Sequence, residues 1–174
     1  MRDRRAFAAI VPFFLSLQLC AERWAIKTLK DQECRSVDFT PRLTTVRELV
    51  ALPVPSGIYG PPGRIHRMVP TETTVWRVRA RLVLVELERD GDLHLVLAEF
   101  GDPTITMIAE IPDPSENARF AGLWQAARRA ALAATIGARV EIEGVGFFDF
   151  VHAQIGVAPN GIELHPVTHF KVIP

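Results

Sequence analysis

The 174-residue chain has no net formal charge, only two cysteines and few aromatic side chains. Because 20 basic residues balance 20 acidic ones, the chain lacks both the basic field of a general nucleic-acid binder and the acidic excess of a disordered tail. Two cysteines exclude a disulfide-dense mini-fold and a four-cysteine zinc site. With 48% hydrophobic residues, the composition predicts one globular domain that buries a core without staples.

The N-terminus has the pattern of a secretory signal peptide. A basic head, residues 1–5, precedes an apolar run from Ala6 to Leu19. This run is shorter than the roughly 20 apolar residues that span a bilayer. The sequence therefore predicts a signal peptide over residues 1–21 and a secreted or cell-envelope protein that is not transmembrane. The alternative for this run is a buried N-terminal helix.

The predicted export determines whether the two cysteines can form a disulfide. A disulfide between Cys20 and Cys34 suits an oxidising compartment. Cleavage after Cys20 would instead leave Cys34 as an odd thiol. Neither cysteine has a Cys or His at metal-ligand spacing, so we expect no metal or catalytic role for them.

Residues 22–70 are predicted to form an N-terminal arm. Thr45 and Glu48 fit a capping box, which predicts a short helix through Leu52. Four prolines and three glycines follow within residues 53–63, and they predict a linker or a surface loop. The arm therefore ends where the main domain, residues 71–174, begins.

The main domain shows five segments of strand-like alternation and one helical segment. The strand segments fall at residues 74–88, 93–97, 105–109, 139–143 and 162–172. The first segment changes its apolar face near Val83, which predicts a bulge. A helix from Phe120 to Ala134, with Ser115 as its N-cap, lies between the third and fourth strands. This order predicts a mainly β (β+α) fold, an OB-like five-stranded barrel, and the alternative is another half-open antiparallel barrel with a helical plug.

Polar residues around the second and last strands form a candidate site. The candidate cluster consists of Asp92, His94, Asp149, His152, Asn160, Glu163 and His165. Converging imidazoles and carboxylates are typical of a metal or acid–base site. The alternative is architectural, with Asp149 and Asn160 capping the loop, the histidines satisfied in the core and the Glu163 carboxylate on the surface.

Three arginines form a second candidate, a binding face. Arg77, Arg79 and Arg81 share one face of the first strand. OB barrels often bind oligonucleotides, but single-strand binding also uses stacking aromatics, and this chain has one tyrosine. The arginines can instead pair with glutamates of neighbouring strands. Nucleic acid is therefore only weakly supported as a partner.

Two sequence motifs carry a family resemblance. Residues 20–29 contain an ERWxxKT-like segment, and residues 156–167 read GVAPNGIELHPV. With residues 92–97 and 107–114, these segments resemble a family of exported bacterial proteins of unknown function. The resemblance implies export and one OB-like unit, but no substrate. Members tend to carry a cysteine where this chain has Ser115, so it also implies that Cys34 is the local partner available to Cys20.

Three functions are compatible with these patterns. The sequence favours an exported binding module without catalysis or cofactor, whose ligand or protein partner is unknown and whose shallow face is lined by Arg77 and Arg79. This function predicts that the histidines and carboxylates do not converge. The alternative is a metal-dependent hydrolase of phosphodiesters, which needs three ligand atoms within about 2.0–2.6 Å of one divalent ion. A structural envelope protein would instead show a large apolar patch and self-association.

Overall fold

A computed structural model of the protein describes residues 23–56, 58, 66–151 and 154–174. The predicted signal peptide, with Cys20, lies outside the described residues, and so does His152. Within the described ranges, no helix is long and apolar enough to cross a membrane.

The described chain is mainly β, with one six-stranded mixed sheet and short helices. The strands are β1 (Asp38–Thr44), β2 (Thr74–Leu87), β3 (Leu93–Glu99), β4 (Asp102–Ile111), β5 (Arg139–Phe148) and β6 (Ile162–Val172). The helices are α1 (residues 23–27), α2 (Val46–Val50) and α3 (Ala121–Ala133), with 3-10 turns at Gln32–Ser36 and Thr71–Thr73. The strand order is β1-β2-β3-β4-β6-β5, and β2 also pairs with β5. The pairings therefore run from β2 through β3, β4, β6 and β5 back to β2.

β2 closes this cycle of pairings because its two halves pair with two different strands, β5 and β3. Residues 75–81 pair with β5, and residues 81–87 pair with β3. The register shifts between Leu82 and Leu84, which confirms the bulge predicted from the change of apolar face. A second register shift, at Gly144 in β5, lets the strand bend beside β6.

One core of apolar side chains joins the sheet to α3. Alternation along β3 places Leu93 and Leu95 in this core. On α3, the buried residues are Trp124, Ala127 and Ala131, three or four positions apart on one helix face. Burial of a large apolar side chain such as Leu95 contributes about 1.5–3 kcal/mol.

The sequence predicts five strands and misses β1, which adds a sixth strand to the sheet. β1 pairs with β2 in parallel, with Arg42 opposite Trp76. Most of its side chains are exposed, including Phe39 and Leu43. With Pro41 at its centre, β1 shows neither an alternating apolar face nor the composition of a central strand, so periodicity gave no signal.

The predicted N-cap of α3 is wrong. The Asp113 carboxylate accepts the backbone N–H of Ser115 at 2.8 Å and forms a turn there. The segment after Ser115 contacts the N-terminal arm, where the Asn117 amide donates to a carbonyl of residue 28 at 2.9 Å. α3 therefore begins only at Ala121, with Phe120 at the N-cap position and no side-chain cap.

The capping box of α2 is confirmed, although the helix is shorter than predicted. The Thr45 side chain accepts the backbone N–H of Glu48 at 3.1 Å, and the Glu48 carboxylate accepts the N–H of Thr45 at 3.0 Å. α2 ends two residues before Leu52. The Asn160 amide donates to the carbonyls of Leu49 and Leu52 at 3.0 Å each, and these contacts give acceptor groups at the C-terminal end of α2 a hydrogen-bond partner.

Candidate functional site

A buried imidazole, His165 on β6, has carboxylates at both ring nitrogens. Its Nδ1 lies 2.9 Å from Glu110 Oε2 and 3.2 Å from Glu163 Oε1. Its Nε2 lies 3.4 Å from Asp92 Oδ2. All four residues are buried, so the cluster exchanges little with water.

Burial and the carboxylates act in opposite directions on the pKa of His165. Burial lowers the pKa of His165, but the three surrounding carboxylates raise it, and the net pKa lies well above the usual value. For Glu110, burial raises the pKa, but hydrogen bonds from the histidines hold it well below the usual value. Both shifts favour a charged pair, the imidazolium of His165 with the carboxylate of Glu110, which lie 2.9 Å apart.

Glu110 also contacts a second imidazole, His94 on β3. His94 Nδ1 lies 3.1 Å from Glu110 Oε1 and 3.5 Å from Glu88 Oε1. Its other ring nitrogen, Nε2, donates to the backbone carbonyl of Ile155 at 3.2 Å. Burial lowers the pKa of His94, but the hydrogen bond with Glu110 raises it above the usual value. Glu110 thus links the two imidazoles, with one carboxylate oxygen on each.

Lys27, at the end of α1, brings a further positive charge to the cluster. Its Nζ lies 2.6 Å from Asp149 Oδ2, 3.5 Å from Glu163 Oε1 and 3.8 Å from Glu110 Oε2. Burial lowers the pKa of Lys27, but the surrounding carboxylates raise it more, so the net shift is upward. The side chain is therefore an ammonium ion at neutral pH, held by three carboxylates from three different segments.

The structure brings together most of the cluster that the sequence predicted. Five of the candidate residues meet, namely Asp92, His94, Asp149, Glu163 and His165. Asn160 has other partners, the carbonyls at the end of α2. The Glu163 carboxylate, which the architectural alternative puts on the surface, is buried. The sequence predicted that, in a binding module without catalysis, the histidines and carboxylates would not converge. Their convergence contradicts that expectation.

Two central residues, Glu110 and Lys27, were missed. Glu110 lies in β4 with apolar residues on both strand faces, since its neighbours Ile108, Ala109 and Ile111 are all buried. A carboxylate inside such a run is a signal for a buried ionic site, because an unpaired buried charge is costly. No comparable signal exists for Lys27, which reaches the cluster from the arm.

A solvent-open cleft of about 470 Å³ lies beside the second imidazole. The end of β2 and the turn that follows it line one side of the cleft, with Glu86, Glu88 and Asp90 against a single basic residue, Arg89. The loop after β5 lines the other side, where the Gln154 amide donates to Glu88 Oε1 at 3.2 Å. The excess of carboxylates favours a positively charged ligand over a phosphate.

The arginines of the predicted binding face have partners within the protein. Arg77 Nη2 lies 2.6 Å from Glu143 Oε1, and Arg79 Nε donates to Glu141 Oε2 at 2.7 Å. Arg81 donates to a backbone carbonyl at 2.7 Å. These contacts reduce the positive field that would attract nucleic acid, so the open acidic cleft is the better candidate site.

Replacing Glu141 with glutamine is expected to reduce stability in a pH-dependent manner. Lys171 Nζ lies 2.7 Å from this carboxylate, and hydrogen bonds from Lys171 and Arg79 lower the pKa of Glu141 to about 2. Because this pKa lies below the ordinary value of 4.5, the stabilisation is present above pH 4.5 and is lost as the pH falls through about 2. At pH 7 we expect the Glu141→Gln variant to lose about 1 kcal/mol in urea denaturation. A loss of equal size at pH 2 would contradict this pairing.

Cys34 is a buried thiol. Burial raises its pKa, and a thiol of raised pKa is a weak nucleophile at neutral pH. The predicted partner, Cys20, lies outside the described residues, so the disulfide stays a prediction.

Comparisons with known proteins give partial structural similarity. No protein-family model and no curated protein matches the chain. Asparaginyl-tRNA synthetase from Entamoeba histolytica, in complex with asparaginyl-adenylate, is 13% identical with a TM-score of 0.44, over 77% of this chain and 24% of that one. A putative aspartyl-tRNA synthetase from Leishmania major Friedlin is 14% identical with a TM-score of 0.43, over 78% of this chain and 21% of that one. The chain spans at most about a quarter of either structure, and TM-scores below 0.5 do not define a shared fold.

Proposed function

We propose that this chain is a small exported binding module of the OB type, whose acidic cleft binds a divalent metal ion through Glu88, His94 and Glu110. The observation that carries the proposal is the position of His94. Its Nδ1 lies between the carboxylate of Glu88, which lines the open cleft, and the buried carboxylate of Glu110, and its Nε2 donates to a backbone carbonyl.

The order and direction of the strands support an OB-type barrel. The cycle β2-β3-β4-β6-β5 contains five strands, the coiled β2 takes part at both ends, and α3 lies between β4 and β5. β4 and β6 pair in parallel, whereas the other neighbours in the cycle are antiparallel. This connectivity supports a five-stranded Greek-key barrel to which β1 is an addition.

The position of the cleft supports a role in binding. OB barrels bind ligands with the loops between their first and second strands and between their fourth and fifth strands. In this chain those loops are the β2–β3 turn and the β5–β6 loop. Glu88 comes from the first loop and Ile155 from the second, so the cleft lies where both loops meet.

The distances around His94 fit a metal ion bound by three side chains. Metal–ligand bonds of about 2.0–2.1 Å place neighbouring ligand atoms of a tetrahedral site about 3.3 Å apart. His94 Nδ1 lies 3.1 Å from Glu110 Oε1 and 3.5 Å from Glu88 Oε1, and the three ligand atoms lie within 4.8 Å of one another. Metal-binding histidines usually donate their other ring N–H to a carbonyl or carboxylate, as His94 does to Ile155.

We expect the full-length protein to bind Co²⁺ and Zn²⁺ with 1:1 stoichiometry. Two carboxylates and one imidazole suit a first-row divalent ion, and the acidic cleft attracts it. Isothermal titration measures affinity, and the visible absorption of bound Co²⁺ reports its coordination geometry. The variants Glu88→Gln and His94→Ala should each weaken binding by at least about tenfold.

The matched control is Glu86→Gln, which removes the same charge from the same cleft but no ligand atom. Its affinity should stay within about twofold of the unmodified protein, since a nearby exposed charge contributes little. Equal losses in Glu86→Gln and Glu88→Gln would show only unspecific attraction of cations. Absence of binding in the unmodified protein would overturn the proposal.

A metal-dependent hydrolase of phosphodiesters is the second candidate function. The observation in its favour is that the chain offers three possible ligands and that two of them, Glu88 and His94, line the open cleft. An ion held by three protein ligands would keep a fourth position for water, as catalytic metal sites do. Hydrolysis of bis(p-nitrophenyl) phosphate by the Co²⁺- or Zn²⁺-loaded protein, lost in His94→Ala, would favour this candidate. Metal binding without hydrolysis would exclude the hydrolase and support the binding module.

Export and family membership complete the proposal. The basic head and apolar run of residues 1–21 support secretion or a cell-envelope location. The motifs at residues 20–29 and 156–167 support a relation to exported bacterial proteins of unknown function. Fractionation of cells that produce the full chain, followed by N-terminal sequencing of the exported form, tests both the location and the cleavage site.

A further inference from the structure

We infer that the N-terminal helix α1 regulates this same metal site, because Lys27 and the metal ion compete for the carboxylate of Glu110. The inference rests on the proposed metal binding and names its regulation. It predicts negative coupling, in which docking of α1 weakens metal binding and bound metal loosens α1.

Glu110 is the point where the two sites meet. Its Oε1 lies 3.1 Å from the Nδ1 of His94, which lines the cleft. Its Oε2 faces the interior, 2.9 Å from His165 Nδ1 and 3.8 Å from Lys27 Nζ. A divalent ion on Oε1 would draw electron density from the carboxylate that also attracts the ammonium ion. The same carboxylate would thus bind the metal ion through Oε1 while Oε2 contacts the cations of the protein.

Charged contacts fix α1 against the sheet and so position Lys27. Arg23, the first described residue of α1, forms an ion pair with the fully buried carboxylate of Glu72. Both cations of α1 lie over the ring of Phe147, with Arg23 Cζ 4.6 Å and Lys27 Nζ 5.2 Å from its centroid. At the end of α1, Lys27 Nζ lies 2.6 Å from Asp149 Oδ2. These contacts all depend on positive charge, so a change of charge in the cluster acts directly on α1.

The coupling has a defined sign and a measurable size. A metal ion at Glu110 and the Lys27 ammonium are like charges within one buried cluster, where screening by water is weak. Removing the ammonium should therefore strengthen metal binding, by about tenfold if the coupling is of ordinary size. By reciprocity, metal binding should weaken the docking of α1 by the same factor.

The test compares metal affinity in Lys27→Met and Lys30→Met, measured by titration with Co²⁺. Methionine keeps the length and the apolar stem of lysine but removes the charge. Lys30 follows α1 closely, but its Nζ contacts Glu116 at 2.8 Å, so its loss should leave affinity within about twofold. We expect Lys27→Met to bind Co²⁺ about tenfold more tightly than the unmodified protein.

A second measurement needs no variant and therefore also decides the case in which Lys27→Met does not fold. Hydrogen exchange of the full-length protein is compared with and without Zn²⁺. The amides of Thr28 and Lys30 donate to the carbonyls of Trp24 and Ala25, so they report whether α1 stays docked. We expect faster exchange at these amides in the presence of Zn²⁺, and unchanged amides in the core of β3.

The outcomes separate the two proposals. If the unmodified protein and Lys27→Met both fail to bind metal, the proposed function is overturned together with its regulation. If both bind Co²⁺ with equal affinity, or if Zn²⁺ binds and exchange near α1 is unchanged or slower, metal binding stands and the competition through Glu110 is wrong.

Discussion

Replacing Glu110 with glutamine is expected to lower the free energy of unfolding by about 3–5 kcal/mol, as the removal of one partner from a buried ion pair typically does. Glu110 accepts from His94 and His165 and faces Lys27, and all four side chains are at most 15% exposed. Glutamine keeps the size of the side chain but not its negative charge. Two imidazoles and one ammonium ion would then lose a shared counterion in a buried cluster.

Urea denaturation followed by circular dichroism measures this loss, and Co²⁺ titration of the same variant measures the loss of a ligand. The matched control is Glu99→Gln, at the end of β3, whose carboxylate accepts the exposed backbone N–H of Arg47 at 2.8 Å. We expect that control to cost no more than about 1 kcal/mol. If Glu110→Gln were as stable as Glu99→Gln, the cluster would not be an ion-pair network that supports the fold.

Replacing Glu72 with alanine should destabilise the protein by about 3–5 kcal/mol. Glu72 is fully buried, and its carboxylate accepts the backbone N–H of Phe148 at 2.9 Å and that of Met68 at 2.8 Å. It also forms the ion pair with Arg23, whose Nε has no partner among the described residues. Truncation would therefore leave two backbone donors and a buried guanidinium without acceptors, and each unsatisfied group costs about 1–3 kcal/mol or more.

Glu116→Ala is the control for the Glu72 variant, because Glu116 also holds the arm but from a half-buried position. Its Oε2 accepts from Trp24 Nε1 at 3.1 Å and from Lys30 Nζ at 2.8 Å. We expect a cost of about 1 kcal/mol for this variant, with a smaller shift of the urea midpoint. Equal midpoints for the Glu72 and Glu116 variants would contradict the assigned role of Glu72.

Local alternation predicted most of the sheet because each strand carries its own pattern. The segment at residues 74–88 showed its change of face, and the bulge lies where that change predicted it. β1 gave no such pattern, since its residues are mostly exposed and it exists through parallel pairing with β2. The N-cap of α3 was missed because the segment after Ser115 contacts the arm, where the Asn117 amide donates to a carbonyl of residue 28, and the helix begins only at Ala121. A contact between segments so far apart in the chain leaves no signal in local sequence spacing.

For the candidate site, too, the sequence indicated some residues but not the contacts between them. His94, Glu163 and His165 were recognised because imidazoles and carboxylates in alternating strands draw attention to a shared face. Whether they meet depends on pairings across the sheet, such as His94 opposite Glu110. The predicted arginine face was recognised by the same reasoning, but its charges are balanced by cross-strand glutamates such as Glu143. Sequence alternation therefore placed side chains on faces without specifying their partners.

The sequence by itself determined five of the six strands, the α2 capping box, the bulge in β2 and most of the residue types of the cluster. Only the tertiary structure decided that Glu110 lies at the centre of the cluster and that Lys27 reaches it. Lys27 and Asp149 are 122 residues apart in the chain, and they meet because the arm packs against the last strands. Local patterns encode which face a side chain takes, since they depend on neighbours in sequence. Electrostatic pairing depends on distances in space, and these are fixed only when the whole sheet has formed.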